Sequence, residues 1–593
     1  MIDVLKYPFD IKMLLRKKKV LKRELFEKSG LTPKKIAVLG GSTTQDVIEV
    51  MELFLLDNGI KPEFYESEYA RYWEDATFGN PELDAFAPDV VFIHTSSRNI
   101  LTWPIIAQGT REIDALVDST AAKFETAWDK LAAHFNCPII QNNFDYLPYR
   151  LLGNLEAADP HGRTNFLSRL NMRFAAYAQS HEGFFINDIN WQSADFGLVR
   201  WHDEAYWCMY KYAMSKEAIP VVAFNVANIV KSLFGKNKKA VALDLDNTLW
   251  GGVVGDDGPE KLELGTETAV GQCYVEFQKY LKGLQAQGVL LNIISKNEEA
   301  AARGGLSHPQ MVLKEGDFIS IKANWEAKSQ NLINMANELT LLPEAFVFVD
   351  DNPAEREIVK QQVPGCVVPD VGQVESYRSV VDHGGYFEPT NFSKDDLKRN
   401  AMYKENAARA QLQVSFADYA EYLKSLDMRA VIKSFEPMYT SRIAQLTNKS
   451  NQFNLTTRRY TQEEIERTAA DNRFITRYGQ LADKFGDNGV VAISIGELKG
   501  EACELILWLM SCRVLKRDME FAMMDEIVSA AIAKGAKKIR GFYYPTAKNA
   551  MAKNFYEIQG FTRISEDESG NAVWELDVSG GYANKNKYIE VGK

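Results

Sequence analysis

The sequence predicts a multidomain α/β protein, on three observations. Short apolar runs of strand length recur along the 593 residues, and they alternate with segments whose apolar residues follow helical spacing. Several of these runs end directly in glycine or polar residues, as buried parallel strands do where they meet a loop. At about 150 residues per domain, the length suits three to four domains.

Composition and charge exclude several classes of protein. Hydrophobic residues make up 46% and charged residues 25%, as in ordinary globular proteins, and the net charge of −11 argues against a general nucleic-acid binder. The six cysteines show no CxxC pairing, which excludes a zinc ribbon and favours reduced thiols. There is no signal-peptide core and no apolar run near the ~20 residues of a membrane helix. We therefore expect a cytoplasmic protein that binds neither nucleic acid nor membrane.

The stretch Lys239–Gly258 carries the clearest pattern in the chain. The apolar run Ala240–Leu245 contains Asp244, Asp246 follows two residues later, and the stretch ends in a glycine-rich turn. Ligands bind at the carboxyl ends of strands in open α/β sheets, and residues i and i+2 of an extended chain point to one side. Both carboxylates can therefore face one site, where a hard cation such as Mg²⁺ would offset their charge.

Two later apolar runs also end in polar groups. Val289–Ile294 is followed by Ser295, and Ala345–Val349 is followed by Asp350 and Asp351. A hydroxyl and two more carboxylates would thus join the first pair at the same edge of the sheet.

These residues resemble the motifs of the haloacid-dehalogenase (HAD) superfamily of phosphotransferases. DLDNTLWGG matches motif I, Ser295 with the following Lys-Asn matches motif II, and Asp350 with Asp351 matches motif IV. The resemblance implies that Asp244 is the nucleophile, that Asp246 is the general acid and base, and that Ser295 holds a phosphate oxygen. It also implies Mg²⁺, held by Asp244, Asp246 (through its backbone), Asp350 and Asp351.

A lysine completes the set as motif III. Lys328 opens a helical segment between motifs II and IV, where the resemblance implies a lysine that neutralises phosphate and nucleophile. Lys322 is the alternative, and Lys328 is the preferred assignment.

The continuation of motif I narrows the resemblance. WGGVVGDDG, together with the polar segment Thr447–Tyr460, resembles the FkbH-like group of HAD subfamily IIIC. That group implies an enzyme that dephosphorylates a three-carbon acyl donor of the 1,3-bisphosphoglycerate type and loads the glyceryl group as a thioester on an acyl carrier protein. Two alternatives stay open. One is a plain Mg²⁺-dependent phosphatase with non-catalytic flanking domains, and the other is a scaffold that binds a carrier protein or enzymes of a glycan pathway.

The first domain is predicted to be a parallel α/β sheet that follows a basic helical leader. Its predicted strands are Ile36–Leu39, Asp89–His94 and Pro138–Gln141, separated by helical segments.

Ser42 follows the first of these strands after two glycines, where a hydroxyl can be exposed at a sharp turn. This arrangement resembles the SGNH-type hydrolases, which implies Ser42 as nucleophile, Asn99 as oxyanion partner and His202 as the third member. A serine after a strand is also a common helix N-cap. Binding on a degenerate hydrolase fold is the favoured prediction.

The last domain alternates strands with one long helix, Met519–Ala533, in an order that resembles the Gcn5-related N-acetyltransferase (GNAT) fold. The predicted strands are Met428–Ser434, Gly489–Ile495, Glu504–Met510 and Lys538–Tyr543. The predicted domains of the whole chain are residues 1–235 (SGNH-like), 236–385 (HAD-like), 386–425 (helical linker) and 426–593 (GNAT-like, α+β).

The loop Ser511–Asp518 is where the GNAT resemblance implies the pyrophosphate of coenzyme A. The pattern has glycine at the positions of Lys516 and Asp518, where backbone amides approach phosphate, and neither glycine is present. An aspartate there would repel a pyrophosphate. The cations Arg513, Lys516 and Arg517 are the predicted cofactor-binding residues, for coenzyme A or for the phosphopantetheine of a carrier protein.

Cys512 is the predicted acyl-bearing residue. It follows a strand, lies beside Arg513 and precedes a helix N-terminus, and both features favour the thiolate. A packed structural cysteine at a strand end is the alternative. The other five cysteines are expected to be buried small hydrophobic residues: Cys137, Cys208, Cys273, Cys366 and Cys503.

Overall fold

The computed structural model describes residues 2–28, 30–392, 394–414, 416, 418–546 and 548–592. The chain divides into two compact units, Met1–Lys236 with His383–Thr390, and Asn237–Asp382 with Asn391–Lys593. Among the helices of the described residues, none has both the length and the apolar character needed to cross a membrane.

The described residues of the first unit form a five-stranded parallel sheet in the order β2-β1-β3-β4-β5. The strands are β1 (Thr32–Gly40), β2 (Ile60–Glu66), β3 (Val90–His94), β4 (Ile139–Asn142) and β5 (Phe184–Asn187). The helices are α1 (Ile11–Phe26), α2 (Gln45–Asp57), α3 (Tyr72–Phe78), α4 (Pro81–Phe86), α5 (Thr110–Phe135), α6 (Arg163–Ser180), α7 (Ile189–Phe196), α8 (Leu198–Trp201), α9 (Glu204–Tyr210) and α10 (Ile219–Leu233).

Alternate residues of β1 face opposite sides of this sheet, as the pleat of a strand requires. Ile36 and Val38 pack in a core with α1, α2 and α10. Ala37 and Leu39 pack in a second core with α5 and α6. Because both faces of the sheet are apolar, its polar side chains collect at the carboxyl edge.

The segment His383–Thr390 packs with the first unit, although the sequence places it at the junction of the HAD-like domain and the linker. Lys231 Nζ donates to the carbonyl of Gly385 at 2.5 Å, and Ser232 Oγ donates to the carbonyl of Glu388 at 2.7 Å. The predicted boundary between residues 385 and 386 therefore falls inside a segment that belongs to the first unit.

The second unit begins with a four-stranded parallel sheet in the order β8-β7-β6-β9, as far as its described residues show. Its strands are β6 (Ala240–Leu243), β7 (Leu290–Ser295), β8 (Phe318–Ala323) and β9 (Phe346–Val349). The helices of this region are α11 (Val254–Asp257), α12 (Ala269–Ala286), α13 (Glu299–Leu306), α14 (Lys328–Glu338), α15 (Pro353–Gln362) and α16 (Val374–His383).

Two helices, α17 (Lys394–Val414) and α18 (Tyr419–Ser425), lead into a mixed sheet of eight described strands. Its order is β15-β16-β14-β13-β12-β11-β10-β17, with β13–β14 and β10–β17 parallel and the other pairs antiparallel. The strands are β10 (Met428–Lys433), β11 (Phe474–Asp483), β12 (Gly486–Lys499), β13 (Ala502–Met510), β14 (Lys538–Tyr543), β15 (Thr562–Glu566), β16 (Ala572–Asp577) and β17 (Ile589–Gly592). The helices are α19 (Thr440–Lys449), α20 (Gln462–Ala470), α21 (Met519–Ala533) and α22 (Phe555–Ile558).

Candidate functional site

Three strand ends of the second unit meet at one edge of its first sheet. Asp244 follows β6, Ser295 is the last residue of β7, and Asp350 follows β9. Because β6 lies between β7 and β9 and all three are parallel, their carboxyl ends lie side by side. The polar groups that the sequence placed after separate strands are thus gathered at one edge.

Lys328 joins two of the carboxylates at this edge. It begins α14, and its Nζ lies 2.9 Å from Oδ2 of Asp244 and 2.6 Å from Oδ2 of Asp350. Burial alone would lower the pKa of Lys328, but the two carboxylates raise it above its ordinary value, so the lysine is charged. Lys322, the alternative, donates to Glu338 Oε1 at 2.6 Å in an exposed pair and lies outside this cluster.

Asp244, Asp350 and Asp351 offer carboxylate oxygens that all lie within 4.8 Å of one another. Burial raises the pKa of Asp244 to about 6 against the opposing charge of Lys328, and Asp350 adds to the rise. Oδ1 of Asp244 is buried and has no hydrogen-bond partner among the described residues. A set of carboxylate oxygens with one unmet acceptor suits a hard divalent cation such as Mg²⁺. These three residues therefore fit the metal that the sequence predicted.

The carboxylate of Asp246 is held by three donors. Oδ1 accepts from Nε1 of Trp250 at 2.9 Å and from the amide of Val254 at 3.0 Å, and Oδ2 accepts from Nδ2 of Asn297 at 2.9 Å. The Trp250 ring in turn packs so closely on Gly305 that an added Cβ there would lie 2.7 Å from the ring. The Asp246 side chain lies outside the group of three carboxylates. The predicted role of Asp246 in metal binding would therefore fall to its backbone and not to its carboxylate.

Sequence reasoning missed several residues that shape this edge. Besides the Trp250 contact, Asn297 donates to Oγ of Ser295 at 3.1 Å, and Thr248 Oγ1 accepts from the amide of Asp351 at 3.2 Å. Arg356 donates to the carbonyls of both aspartates that follow β9, at 2.8 and 2.6 Å. Asn297 lies two residues after Ser295, and Thr248 lies two residues after Asp246. This closeness in sequence is the feature from which both could have been predicted.

At the carboxyl edge of the first unit, the predicted nucleophile and base do not contact each other. Ser42 is buried, and its hydroxyl has no hydrogen-bond partner among the described residues. His202 Nε2 lies 2.8 Å from the carbonyl of Tyr146 and 3.6 Å from Oδ2 of Asp145, while its Nδ1 has no partner there. A working nucleophile is normally hydrogen-bonded to its base, so the arrangement lacks that feature of a hydrolase.

Asn99, the predicted oxyanion partner, holds the turn before Ser42. Its Nδ2 donates to the carbonyl of Gly41 at 2.7 Å, and its Oδ1 accepts from the amide of Ser96 at 3.0 Å. A Cβ at position 41 would lie 2.4 Å from Nδ2 of Asn99, which explains the glycine. The amide therefore has a structural task in the turn.

A row of neutral side chains runs along this edge. His94 Nδ1 lies 3.0 Å from Nδ2 of Asn142, Asn187 donates to Oδ1 of Asn142 at 2.8 Å, and Gln192 donates to Oδ1 of Asn187 at 2.8 Å. Burial lowers the pKa of His94 to about 4, so the ring is neutral. These side chains form a hydrogen-bonded row of uncharged groups, with the carboxylates of Asp145 and Asp188 beside it.

The predicted cofactor loop of the last domain keeps the backbone shape that glycines would give. Lys516 and Asp518 have φ of +64° and +69°, in the left-handed region that favours glycine. The Asp518 carboxylate accepts from the amides of Lys587 at 2.6 Å and Tyr588 at 3.1 Å. The C-terminal segment therefore holds the Asp518 carboxylate in place, and its repulsion of a pyrophosphate stays a prediction.

The groups that would bind phosphate in this loop have partners within the chain. The amide of Lys516 donates to Oε1 of Glu520 at 2.6 Å, and Arg517 donates to Oδ1 of Asn406 at 2.9 Å. Arg513 Nε donates to Oγ of the preceding Ser511 at 3.1 Å. The Lys516 side chain is exposed.

The gap between β13 and β14 is filled by the segment Phe453–Leu455. The amide of Leu455 donates to the carbonyl of Trp508 at 3.0 Å, and its carbonyl accepts from Tyr544 at 2.9 Å. Phe453 accepts from the amide of Met510 at 2.9 Å. The polar signature segment thus supplies backbone partners where the two strands diverge.

Cys512 is half-buried and lies at the opposite end of β6 from Asp244. It is within electrostatic range of Lys239, which directly precedes β6, and of the buried Tyr403. Five residues of extended chain, at about 3.3 Å each, put the two ends roughly 16 Å apart. Of the five cysteines expected to be buried, Cys503 is buried, three are half-buried (Cys137, Cys273 and Cys366), and Cys208 is exposed.

Comparison with known proteins locates the likeness in the first and second units. Residues 35–231 match the family model of the FkbH N-terminal domain. The crystal structure of the N-terminal part of BF1531 from Bacteroides fragilis, which contains a phosphatase domain complexed with Mg, is 28% identical. That match covers 63% of this chain and 99% of that chain, with a TM-score of 0.59. No curated protein matches the chain.

Acetyltransferase structures match the last domain at lower scores. The ribosomal-protein-S18-alanine N-acetyltransferase of Escherichia coli is 15% identical, covering 27% of this chain and 99% of that one, with a TM-score of 0.20. The PaiA N-acetyltransferase of Thermoplasma acidophilum in complex with coenzyme A is 14% identical, covering 25% and 98%, with a TM-score of 0.20. The predicted multidomain α/β class is confirmed.

Proposed function

We propose that the edge around Asp244 is the active site of a Mg²⁺-dependent phosphatase or phosphotransferase of the HAD type. The observation that carries the proposal is a buried Lys328 bonded to Asp244 and Asp350, beside a carboxylate oxygen that has no partner. The Bacteroides fragilis neighbour, with its Mg-bound phosphatase domain, supports the same activity. Together with the FkbH family match, it confirms the prediction of an enzyme with phosphatase features.

In the first half-reaction, a carboxylate oxygen of Asp244 attacks phosphorus. A bond from Asp244 to phosphorus forms as the bond to the leaving oxygen breaks, and Asp246 gives its proton to that oxygen. Lys328 keeps the nucleophile in place and offsets its charge. The Ser295 hydroxyl, held by Asn297, is placed to donate to a phosphate oxygen.

In the second half-reaction, water attacks the aspartyl-phosphate. Asp246 takes the proton from water, the bond between Asp244 and phosphorus breaks, and phosphate leaves. Trp250, Val254 and Asn297 hold the carboxylate that acts twice.

Asp244, Asp350 and Asp351, with the backbone of Asp246, would hold the Mg²⁺ ion. When bound, the ion supplies the positive charge that lets a negative nucleophile approach a negative phosphate.

For the whole chain, the proposal is that of the FkbH-like group: loading of a three-carbon acyl group on an acyl carrier protein. The Cys512 thiolate would attack the carbonyl carbon of an acyl phosphate, forming a C–S bond while phosphate leaves with the C–O electron pair. The carrier's thiolate then attacks that thioester and releases Cys512. Cys512 influences Lys239, which precedes β6, whereas Asp244 follows β6, so acyl loading and phosphate removal would be separate binding events.

Phosphate release from p-nitrophenyl phosphate with Mg²⁺ tests the first part of the proposal. Asp244→Asn should abolish release, whereas Asp256→Asn, a change of an exposed aspartate in the same stretch, should leave it intact. Wild-type turnover in Asp244→Asn would overturn the assignment.

Incubation with the acyl-phosphate donor, followed by mass mapping, tests the second part. A glyceryl adduct on Cys512 that is absent from Cys512→Ser supports acyl loading. An adduct on another cysteine, or normal loading by Cys512→Ser, contradicts the assignment. Phosphate release without any adduct would favour a plain phosphatase, and the absence of both activities would favour a scaffold.

A further inference from the structure

An ion pair joins the two loops that flank the candidate nucleophile. Lys296 directly follows β7, Glu355 lies in the first turn of α15 after β9, and their charged atoms are 2.6 Å apart. Because β7 and β9 lie on either side of β6, their ends are two strand spacings, or about 10 Å, apart. The pair therefore bridges the two sides of the strand end from which Asp244 projects.

The partners of the nearby cations single out Lys296. Lys328 is buried between two carboxylates, and Arg356 is held by two carbonyls and by Asp370. Lys296 keeps 40% of its side chain exposed, and its one bonded partner among the described residues is Glu355. Among the cations of these flanking segments, Lys296 is thus the one that can exchange its partner for a solute.

The negative charge of the edge explains why a cation that can exchange its partner would help to bind an anionic substrate. Four aspartates and Glu355 stand against two lysines and one arginine, so a substrate with several negative groups meets repulsion outside the phosphate position. When an anionic group replaces Glu355, Lys296 keeps an anionic partner, so the cost of the exchange is the carboxylate of Glu355 left without its partner. Glu355 itself is only 12% exposed and is held in reach of Lys296 by α15.

We propose that Lys296 is the subsite for a second anionic group, a carboxylate or a phosphate, of the phosphorylated substrate. That group takes the place of Glu355 when the phosphorus reaches Asp244. Substrates with one phosphate and no second anion leave the Lys296–Glu355 pair closed. This inference rests on the proposed phosphatase activity, because it concerns the remainder of the same substrate.

Two probes of similar size separate the subsite from the phosphate position: 3-phosphoglycerate, which carries a carboxylate, and glycerol 3-phosphate, which does not. In phosphate-release assays of the full chain with Mg²⁺, Lys296→Met should raise KM for 3-phosphoglycerate about tenfold and leave KM for glycerol 3-phosphate within about twofold. Glu355→Gln should lower KM for 3-phosphoglycerate alone. Lys322→Met, at a half-buried lysine paired with Glu338 outside the site, is the matched control and should change neither value.

Calorimetric binding of the same two probes to Asp244→Asn and to Asp244→Asn/Lys296→Met gives a readout that needs no turnover. Absence of phosphate release by the wild type would end the proposed function, while a loss of affinity confined to 3-phosphoglycerate would still support the subsite. Equal weakening of both probes by Lys296→Met, or no weakening of either, would overturn the subsite even in an active phosphatase.

Discussion

Two parallel sheets of this chain present polar groups at their carboxyl edges, and the two edges differ in charge. At the β6–β9 edge, Lys328 contacts Asp244 and Asp350 at 2.9 and 2.6 Å. At the β1–β5 edge, His94 and Asn142 belong to a row of neutral groups that bond to one another. Similar topology therefore supports two unlike sites.

The difference shows what makes a strand end reactive. The amides of the β1–β5 edge bond mainly to one another, and the atoms left without a partner among the described residues, such as Nε2 of His94 and Oε1 of Gln192, belong to neutral groups. The Asp244 cluster instead leaves a buried carboxylate oxygen unpartnered beside a charged lysine. Ser42 and His202 also keep unpartnered atoms, yet they do not bond to each other. Convergence of charge, more than the presence of a nucleophilic residue, separates the two edges.

Removing the bridging cation should have the largest effect on the charged edge. Lys328→Met should lower kcat for p-nitrophenyl phosphate about 10²- to 10³-fold, because a positioned donor for the nucleophile and the developing charge is lost. Steady-state phosphate release measures the change. Lys322→Met, in its exposed pair with Glu338, is the control and should match the wild type. Equal losses in both variants would contradict the assignment of Lys328.

The core of this edge could be predicted because strand ends carry it. Asp244, Ser295 and Asp350 each follow a buried apolar run, and parallel strands bring such ends together. β8 (Phe318–Ala323) was missed, since most of its residues are only half-buried and the apolar pattern is weaker than in its neighbours. The site could therefore be predicted from the parallel strands that carry it, although one strand of the sheet was not predicted.

The remaining contacts depend on loop geometry that no spacing encodes. The indole of Trp250 reaches Asp246 because the chain turns back after motif I, and Asn297 reaches it from a different loop. The position of Cys512 near the amino end of β6 depends on how the last domain packs within the second unit. Neither could follow from the local sequence, because both are contacts between distant segments.

Removing one of the donors that hold the Asp246 carboxylate should have a moderate effect on kcat. Trp250→Phe removes the donor to Oδ1 of Asp246 and keeps an aromatic ring at this position, without the far indole atoms that lie nearest Gly305. We expect kcat to fall about tenfold with KM within about twofold, because substrate binding is unchanged while the carboxylate is less well placed. Trp325→Phe is the matched control, since that exposed indole donates to Glu298. A change in KM without a change in kcat would contradict a positioning role.

Neutralising the nucleophile should raise stability slightly while it removes activity. The folded-state pKa of Asp244, about 6, lies above the ordinary 3.8, because the folded protein favours the protonated carboxyl. Protonated Asp244 therefore contributes fully to the free energy of unfolding below pH 4, and this contribution is lost as pH rises through 6. In EDTA at pH 7.5, Asp244→Asn should therefore melt a few degrees above the wild type, and the difference should vanish near pH 4. Added Mg²⁺ should stabilise the wild type more than the variant. Scanning fluorimetry measures both effects, and a lower melting temperature for Asp244→Asn in EDTA would contradict this account.

The smallest effect is expected at the β1–β5 edge. Ser42→Ala should leave the hydrolysis of p-nitrophenyl acetate by the full chain at its low starting level, because the Ser42 hydroxyl has no bonded base among the described residues. His202→Gln should do the same, since Nε2 of His202 faces the carbonyl of Tyr146 and the carboxylate of Asp145. Wild-type ester turnover that disappears in both variants would show that the two side chains meet during catalysis. The first sheet would then be a second active site, and the contrast in charge between the two edges would no longer separate a reactive edge from a structural one.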